Sequence, residues 1–349
     1  MDCLATDGRR LADLVALAIP VCRDAAKQFQ QAGPGRPPAY QEWQIAVLIV
    51  VAIVHGRKSK SSQWRFLKQH EQELLEALAL PRMPCRDTYS RRYRDEHLLF
   101  ERAVELQGKL ALKEHVCEAQ CVAGDKSLIT AKGPSPRGRK LRKGTDAQAA
   151  WGYSGHDRWV WGYSYEVVVT APKKGLVFPL LGSCDPANKS EHKSFPPKIP
   201  RLAKSVCAVL VDSAYDGNNL AEAVECHANG KTSGRHYVCP MMKRAGKPAV
   251  GKYPQGGRRE RRRRHRQQRH DFYYSKKGQR LYRRRKQSVE PFNSHFKKLF
   301  DLEDRVWHRG LDNNRTMILA AIFIYQLLSR YAFKRGQRNG QIQWILDGL

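Results

Sequence analysis

Val206–Gly217 reads VCAVLVDSAYDG. Apolar, partly β-branched residues (Val206, Ala208, Val209, Leu210, Val211) stop abruptly at Asp212, and Tyr215–Asn218 form a turn signal. Asn219–His227 follows as a helix carrying Leu220, Ala223 and Val224 on one face. A short apolar run bounded by turn residues is the mark of a buried strand. A carboxylate at the C-terminal end of such a strand stands where open α/β sheets place their sites. The same arrangement occurs earlier, in QCVAGDKSLI (Gln120–Ile129), where Asp125 ends a short apolar stretch.

Composition narrows the function classes. The chain has 349 residues and a formal net charge of +30, with a pI near 10.0. Self-repulsion on that scale is best tolerated against a polyanion, so nucleic acid is the expected partner ahead of an anionic membrane. The nine cysteines are scattered, with no CxxC and no Cys/His pair at zinc spacing after Cys117 and Cys121. They read as small core residues in a reducing cytoplasm. Met1–Arg10 lacks the apolar core of a signal peptide. The most apolar run, Ile45–Val54, falls well short of the ~20 residues that span a bilayer. No membrane role is expected, since the basic segments lack an amphipathic helix with bulky apolar anchors.

Residues 1–115 read as all-helical. Arg10–Ala32, Tyr40–His55, Ser59–His70, Glu71–Leu80 and Phe100–His115 carry apolar residues at helical spacing, and GPGRPPA (Gly33–Ala39) is a linker. Around Pro81 and Pro84 the pattern is that of a helix-turn-helix. Its second helix, RDTYSRRYR (Arg86–Arg94), is capped by Asp87 or Thr88 and bears Arg91, Arg92 and Arg94 beside Tyr89 and Tyr93.

From residue 116 the pattern turns to strands. Val116–Gly124 is expected as a strand ending at Asp125, Trp151–Ala171 as one or two antiparallel strands, and Leu176–Leu181 as another before a polar turn, CDPANKSEHKSF. A short helix over Ile199–Ser205, the Asp212 strand with its helix, and a strand at His236–Met241 complete a mixed α/β sheet. Arg258–Arg269 holds eight arginines and one glutamate. Like charges at that density predict a loop, or a segment ordered only on a partner, in which Arg261, Arg262, Arg263 and Arg264 neutralise phosphates. Phe272–Tyr274 and Leu281–Tyr282 read as a hairpin turning near Gly278. Leu311–Phe333 is a long core helix. The domains expected are 1–115, 116–335 with a basic insertion at about 242–280, and a tail over 336–349.

Between Arg280 and Leu299, Glu290 is the only acid. Pro291 disfavours helical angles at the residue before it, which places Glu290 at a helix start with Pro291 in the first turn. Asp125, Asp212 and Glu290 then form a constellation able to hold two Mg²⁺ ions, which prefer oxygen ligands and leave positions open to phosphate and water. Two such ions about 3.5–4 Å apart stabilise both oxygens of an in-line phosphoryl displacement. Asp216, four residues after Asp212, and the loop acids Asp146, Asp185 and Glu191 are competing candidates.

These segments resemble bacterial insertion-sequence transposases with a DDE catalytic domain on an RNase H-like fold. The resemblance is carried by GDKSLI around Asp125, VLVDSAYDG around Asp212 and SVEPFNSHFKKLF around Glu290. PRMPCRDTYSRRY, TDAQAAWGY and SCDPANKSEH add to it, over roughly residues 36 to 330. In the family signature Tyr-x2-Arg-x3-Glu-x6-Lys, Lys297 falls in place, but Lys286 stands at the Arg position and Arg283 at the Tyr position. The resemblance implies an RNase H-like α/β catalytic domain behind an N-terminal helical DNA-binding domain. It implies Mg²⁺ (or Mn²⁺) at Asp125, Asp212 and Glu290, and phosphate contacts from Lys286 and Lys297. It also implies cutting at the terminal repeats, attack of the freed 3′-hydroxyl on target DNA, and a homo-oligomer on DNA near the nucleoid. A metal-dependent nuclease and a decayed, purely DNA-binding transposase are the rival readings.

Overall fold

The computed structural model describes residues 3–29, 39–138, 140–155, 158–226, 232–242, 257–338 and 340–348. Six helices come first: α1 (Cys3–Ala26), α2 (Glu42–Val54), α3 (Lys60–Gln69), α4 (Glu71–Leu78), α5 (Arg86–Asp95) and α6 (His97–Lys113). A sheet follows: β1 (Cys121–Thr130), β2 (Ala150–Ser154), β3 (Arg158–Thr170), β4 (Pro179–Pro186), β5 (Ala208–Leu210) and β6 (His236–Val238). Short helices α7 (Glu191–Ser194) and α8 (Asn218–Glu225) lie among the strands. The chain continues as α9 (Arg258–Tyr274), α10 (Lys276–Leu299), α11 (Leu311–Lys334) and α12 (Gln343–Leu346). The linker at Gly33–Ala39 lies, except for Ala39, outside the described residues.

The strands are ordered β2-β3-β1-β5-β6, with β4 beside β3. β1 runs antiparallel to β3 and parallel to β5, and β5 runs parallel to β6. Successive side chains in a strand point to opposite faces, and the two cores divide accordingly. Cys121, Ala123, Ala208 and Leu210 pack on one side, and Val122, Val209 and Val211 on the other.

α11 is apolar and long enough to cross a bilayer, but 94% of its apolar window is buried inside the protein. It packs against α6 and β4; Gln326 Nε2 bridges them by donating to Val104 O (2.9 Å) and Pro179 O (2.8 Å). Gly182 lets it approach, since a Cβ there would lie 2.7 Å from Ile322 Cδ1. The N-terminal helices share this core with α11, and Tyr93 Oη hydrogen-bonds His308 Nε2 (3.0 Å). Residue 115 lies in the turn between α6 and β1, so helices on both sides of it use the same apolar interior.

Several expectations are corrected. β1 does not end at Asp125; it runs on to Thr130 because its antiparallel partner β3 keeps pairing as far as Gly162, after the parallel pairing with β5 has stopped at Ala123. β4 extends through Cys184 and Asp185 to Pro186, since these residues pair with Tyr163–Tyr165 of β3 and are not a turn. The arginine run is helical. Arg262, Arg266 and Arg269 recur at i, i+4 and i+7 and meet acceptors on and before α8: Glu222 (2.9 Å), Asp216 (2.7 Å) and Asn218 (2.7 Å). Those partners offset the repulsion that predicted a loop. The hairpin expected over 272–282 is the junction of α9 and α10, capped by the Ser275 hydroxyl on Gly278 N (3.1 Å). A Cβ on Gly278 would lie 1.9 Å from Phe272 O.

The start of α10 is corrected for the same reason. Glu290 and Pro291 lie inside a continuous helix, because Val289, Phe292 and Phe296 are all buried on one side. That packing overrides the preference of the residue before a proline. Smaller adjustments are a 3-10 turn at Pro196–Arg201 in place of the helix expected over Ile199–Ser205, and Cys85 as the N-cap of α5.

Candidate active site

The β1–β5 register pairs Cys121 with Ala208 and Ala123 with Leu210. Continued two residues further, it sets Asp125 level with Asp212 on the face that α10 covers. Asp212 lies just past β5 and caps the 3-10 turn Ser213–Tyr215, accepting from Ala214 N (2.9 Å) through Oδ1. Beneath it, Tyr215 Oη donates to Glu166 Oε1 (2.9 Å) on β3, and Tyr237 Oη donates to Tyr215 O (2.7 Å). Glu166 also accepts from Ser194 Oγ (3.0 Å) and pairs with Lys198 Nζ (2.6 Å), both partners being fully buried. The turn that carries Asp212 is thus tied to a satisfied ionic network in the sheet.

On the other side of the cleft, α10 supplies Arg285 and Asn293. Arg285 Nη2 lies 2.6 Å from Asp125 Oδ1 and 3.7 Å from Asp212 Oδ2. Asn293 Nδ2 donates to Asp125 Oδ2 (2.7 Å), and Asn293 Oδ1 accepts from Tyr165 Oη (3.0 Å). Burial pushes the Asp125 carboxyl up to about 6; Arg285 opposes the rise and Asp212 adds to it. Asp212 is raised for the same reason, desolvation, against Arg285. Two neighbouring carboxylates, Asp125 half-buried and Asp212 more open, are thus held charged by a cation, here Arg285.

Lys286, Glu290, Asn293 and Lys297 recur at i, i+4, i+7 and i+11, so they share one stripe of α10. Lys297 Nζ donates to Leu128 O (3.0 Å), while Lys286, Glu290 and Arg283 are exposed. The structure thus brings Asp125 and Asp212 together. Glu290 rides the stripe that touches Asp125 but is not drawn into a shared cluster. Among the described residues, no three His, Cys, Asp or Glu side chains converge as a metal-ligand set.

The competing acids have partners of their own, although Glu191 lies near enough to Asp212 for its charge to help raise that carboxyl. Asp216 pairs with Arg266 (2.7 Å) and Asp185 with Arg315 (3.2 Å). Asp146 accepts from Tyr163 Oη (2.7 Å) and Gly310 N (2.8 Å), and Glu191 pairs with Lys126 (3.4 Å).

Of the expected DNA-contacting residues, Arg91, Arg94, Arg261 and Arg264 are exposed, and Arg264 pairs with Glu260 (2.9 Å). Arg92 is half-buried and paired with Glu42 (2.5 Å), because Tyr89 and Tyr93 turn that side of α5 into the core. Arg262 grips Glu222 with two nitrogens, at 2.9 and 3.0 Å, and Arg263 is partly buried. Arg285, Asn293, Glu166 and Lys198 were missed from sequence. Only Asn293 left a signal there, its place on the stripe of Lys286, Glu290 and Lys297.

A mixed sheet with one aspartate on β1 and a second just past the parallel β5, both beneath α10, is the frame of an RNase H-like α/β protein. The family profile described as Transposase DDE domain matches residues 118–327, more than half of the chain. The chain belongs to that family: it is a DNA transposase, and its partner is DNA. None of the curated proteins and none of the solved structures compared matches it.

Proposed function

We propose that this transposase cuts DNA at the ends of its insertion sequence and joins the freed 3′ ends to target DNA. In this reading Asp125, Asp212 and Glu290 are the catalytic carboxylates, and Mg²⁺ (or Mn²⁺ in its place) is the cofactor. The observation that carries the reading is the approach of Asp125, on β1, and Asp212, just past β5, to one cationic group, Arg285. The donor set fits the ion, for it is all hard oxygen and already accommodates positive charge. Bound there, Mg²⁺ supplies Lewis acidity to water and phosphate oxygens.

The chain's own groups do the positioning. Asn293 and Tyr165 fix the rotamer of Asp125, and the Tyr215–Glu166–Lys198 network fixes the turn of Asp212. Glu290, one turn before Asn293 on α10, is the third carboxylate. Lys286, Lys297 and Arg283 hold phosphates along the same helix. Residues 1–115 read the terminal repeats through Arg91, Arg92 and Arg94, and Arg261, Arg262, Arg263 and Arg264 add to the basic surface. Two ends must meet, so the working species is a homo-oligomer on DNA, in the cytoplasm at the nucleoid.

The test is cleavage of DNA carrying the element's own ends with Mg²⁺, comparing wild type with Asp212→Asn. Cutting that the variant loses is the expected result. Equal cutting by both removes Asp212 from the site, and DNA binding without cutting by either supports a non-catalytic binder.

A further inference from the structure

Both aspartates already face a cation. Asp125 gives one oxygen to Arg285 and the other to Asn293. Asp212 gives one oxygen to Ala214 N and turns the other toward Arg285 at 3.7 Å. The Arg285 side chain is 12% exposed, and its Nε is buried without a hydrogen-bond partner. Arg285 thus supplies the charge that a metal ion would supply, and in the same place. A divalent ion needs its carboxylate oxygens at about 2.0–2.1 Å. It cannot approach Asp125 Oδ1 from that side while a guanidinium nitrogen holds that oxygen, and two cations packed together in a desolvated cleft repel.

The guanidinium also has somewhere to go. Arg285 lies on α10 beside the exposed side chains of Arg280, Arg283 and Lys286. Its planar fork of donors matches a phosphate as well as it matches a carboxylate.

We propose that Arg285 is an internal counter-cation that occupies the Asp125–Asp212 seat in the metal-free protein and is transferred to a DNA phosphate when DNA binds. The proposal rests on the reading of Asp125 and Asp212 as metal ligands. Its consequence is a coupling of two affinities. DNA that draws Arg285 out of the seat tightens metal binding, and metal that displaces Arg285 tightens DNA binding by the same factor. The seat thus holds a cation in both states, and the free protein is kept from loading metal where no DNA is present.

The test measures Mn²⁺ binding directly, as free Mn²⁺ followed by electron paramagnetic resonance. The full-length wild type, Arg285→Gln, Arg285→Lys and Asp212→Asn are titrated with and without a short duplex. In the wild type the duplex is expected to tighten Mn²⁺ binding about tenfold, within the usual range of coupling between sites. Arg285→Gln, which keeps length but removes charge, is expected to bind Mn²⁺ about tenfold more tightly than wild type without DNA and to show no further gain with it. Arg285→Lys retains the charge and is expected to stay near the wild-type affinity, which separates competition from disturbed folding. Mn²⁺ binding by Arg285→Gln no tighter than wild type, or an undiminished gain with DNA, overturns the proposal. Unchanged Mn²⁺ binding by Asp212→Asn overturns the carboxylate site itself. Loss in Asp212→Asn with no effect of Arg285→Gln leaves the site standing and removes only the role of Arg285.

Discussion

Replacing Glu166 with Gln isolates the charge on Lys198 while preserving the shape of the network beneath Asp212. In the wild type Glu166 is 2% exposed and accepts from Lys198, Ser194 and Tyr215 at 2.6, 3.0 and 2.9 Å. The amide still reaches its neighbours, but the Lys198 ammonium, 4% exposed, keeps only the Ser183 hydroxyl and the Ser194 carbonyl. Breaking one side of a buried ion pair costs about 3–5 kcal/mol, because the remaining charge is stranded. With about 2.1 cal/mol/K of unfolding entropy per residue, 349 residues turn ~4 kcal/mol into a fall in Tm of about 5 °C. Lys198→Met alone is milder, since Glu166 keeps the Ser194 and Tyr215 hydroxyls as donors. The double variant Glu166→Gln/Lys198→Met removes both charges and should lose clearly less than the sum of the two single losses, with a coupling energy of about 2–3 kcal/mol. Urea unfolding followed by tryptophan fluorescence reads all four proteins. If the two single losses add to within about 0.5 kcal/mol in the double variant, the pair is not coupled and the reasoning fails.

Three further outcomes follow from the same geometry. His308 is buried against Tyr93 and pushed down to about 3 by burial, with Lys60 and Lys132 adding to the effect. Its folded value lies below the unfolded one, so the stability it confers is present above about pH 6.5 and is lost as pH falls, by about 2–3 kcal/mol from pH 6.5 to 4.5. Urea midpoints across that range should fall less steeply in His308→Gln, and parallel curves would refute the assignment. A Cβ at Gly124 would lie 2.5 Å from Phe195 Cε2 and 3.2 Å from Val211 Cγ1. Gly124→Ala should therefore cost about 1–3 kcal/mol, and Phe195→Leu should relieve part of the loss in thermal melts. On α9, Arg261→Gln should lower the slope of log DNA affinity against log salt by about 1. Arg262→Gln should leave that slope nearly unchanged, because its guanidinium is held by Glu222; equal effects would mean that the ion pair opens on DNA.

What the sequence made legible, and what it hid, divides along one physical line. Apolar periodicity placed α2 and α11 because their partners are simply the interior. The strand ending at Asp212 was legible because the apolar run and the parallel pairing stop within a residue or two of each other. At Asp125 they do not. Lys126 and Ser127 look like the end of a strand, yet β3 holds their backbone for five residues beyond Asp125. The arginine run and the Glu290–Pro291 pair failed in the same way. Local charge and local dihedral preference argued against helix, and partners distant in sequence (Glu222 and Asp216 for the first, the aromatic core around Phe296 for the second) decided otherwise.

The hidden part of the site is also the part that sets its charge. The three acids were found as the conspicuous exceptions in apolar or basic surroundings, which makes acids easy to see and basic residues nearly invisible in a chain of this composition. Arg285 is one of 63 lysines and arginines, and nothing in its neighbours Arg283, Arg284 and Lys286 distinguishes it. The fold distinguishes it, because α10 crosses β1 and β5 where their register brings two aspartates level. Of that basic run, Arg285 alone has an ion pair to both aspartates. A run that reads as redundant phosphate-binding charge thus contains one member with a different task. Changing Arg283 or Lys286 should weaken DNA binding alone, whereas changing Arg285 should alter metal affinity in the absence of DNA.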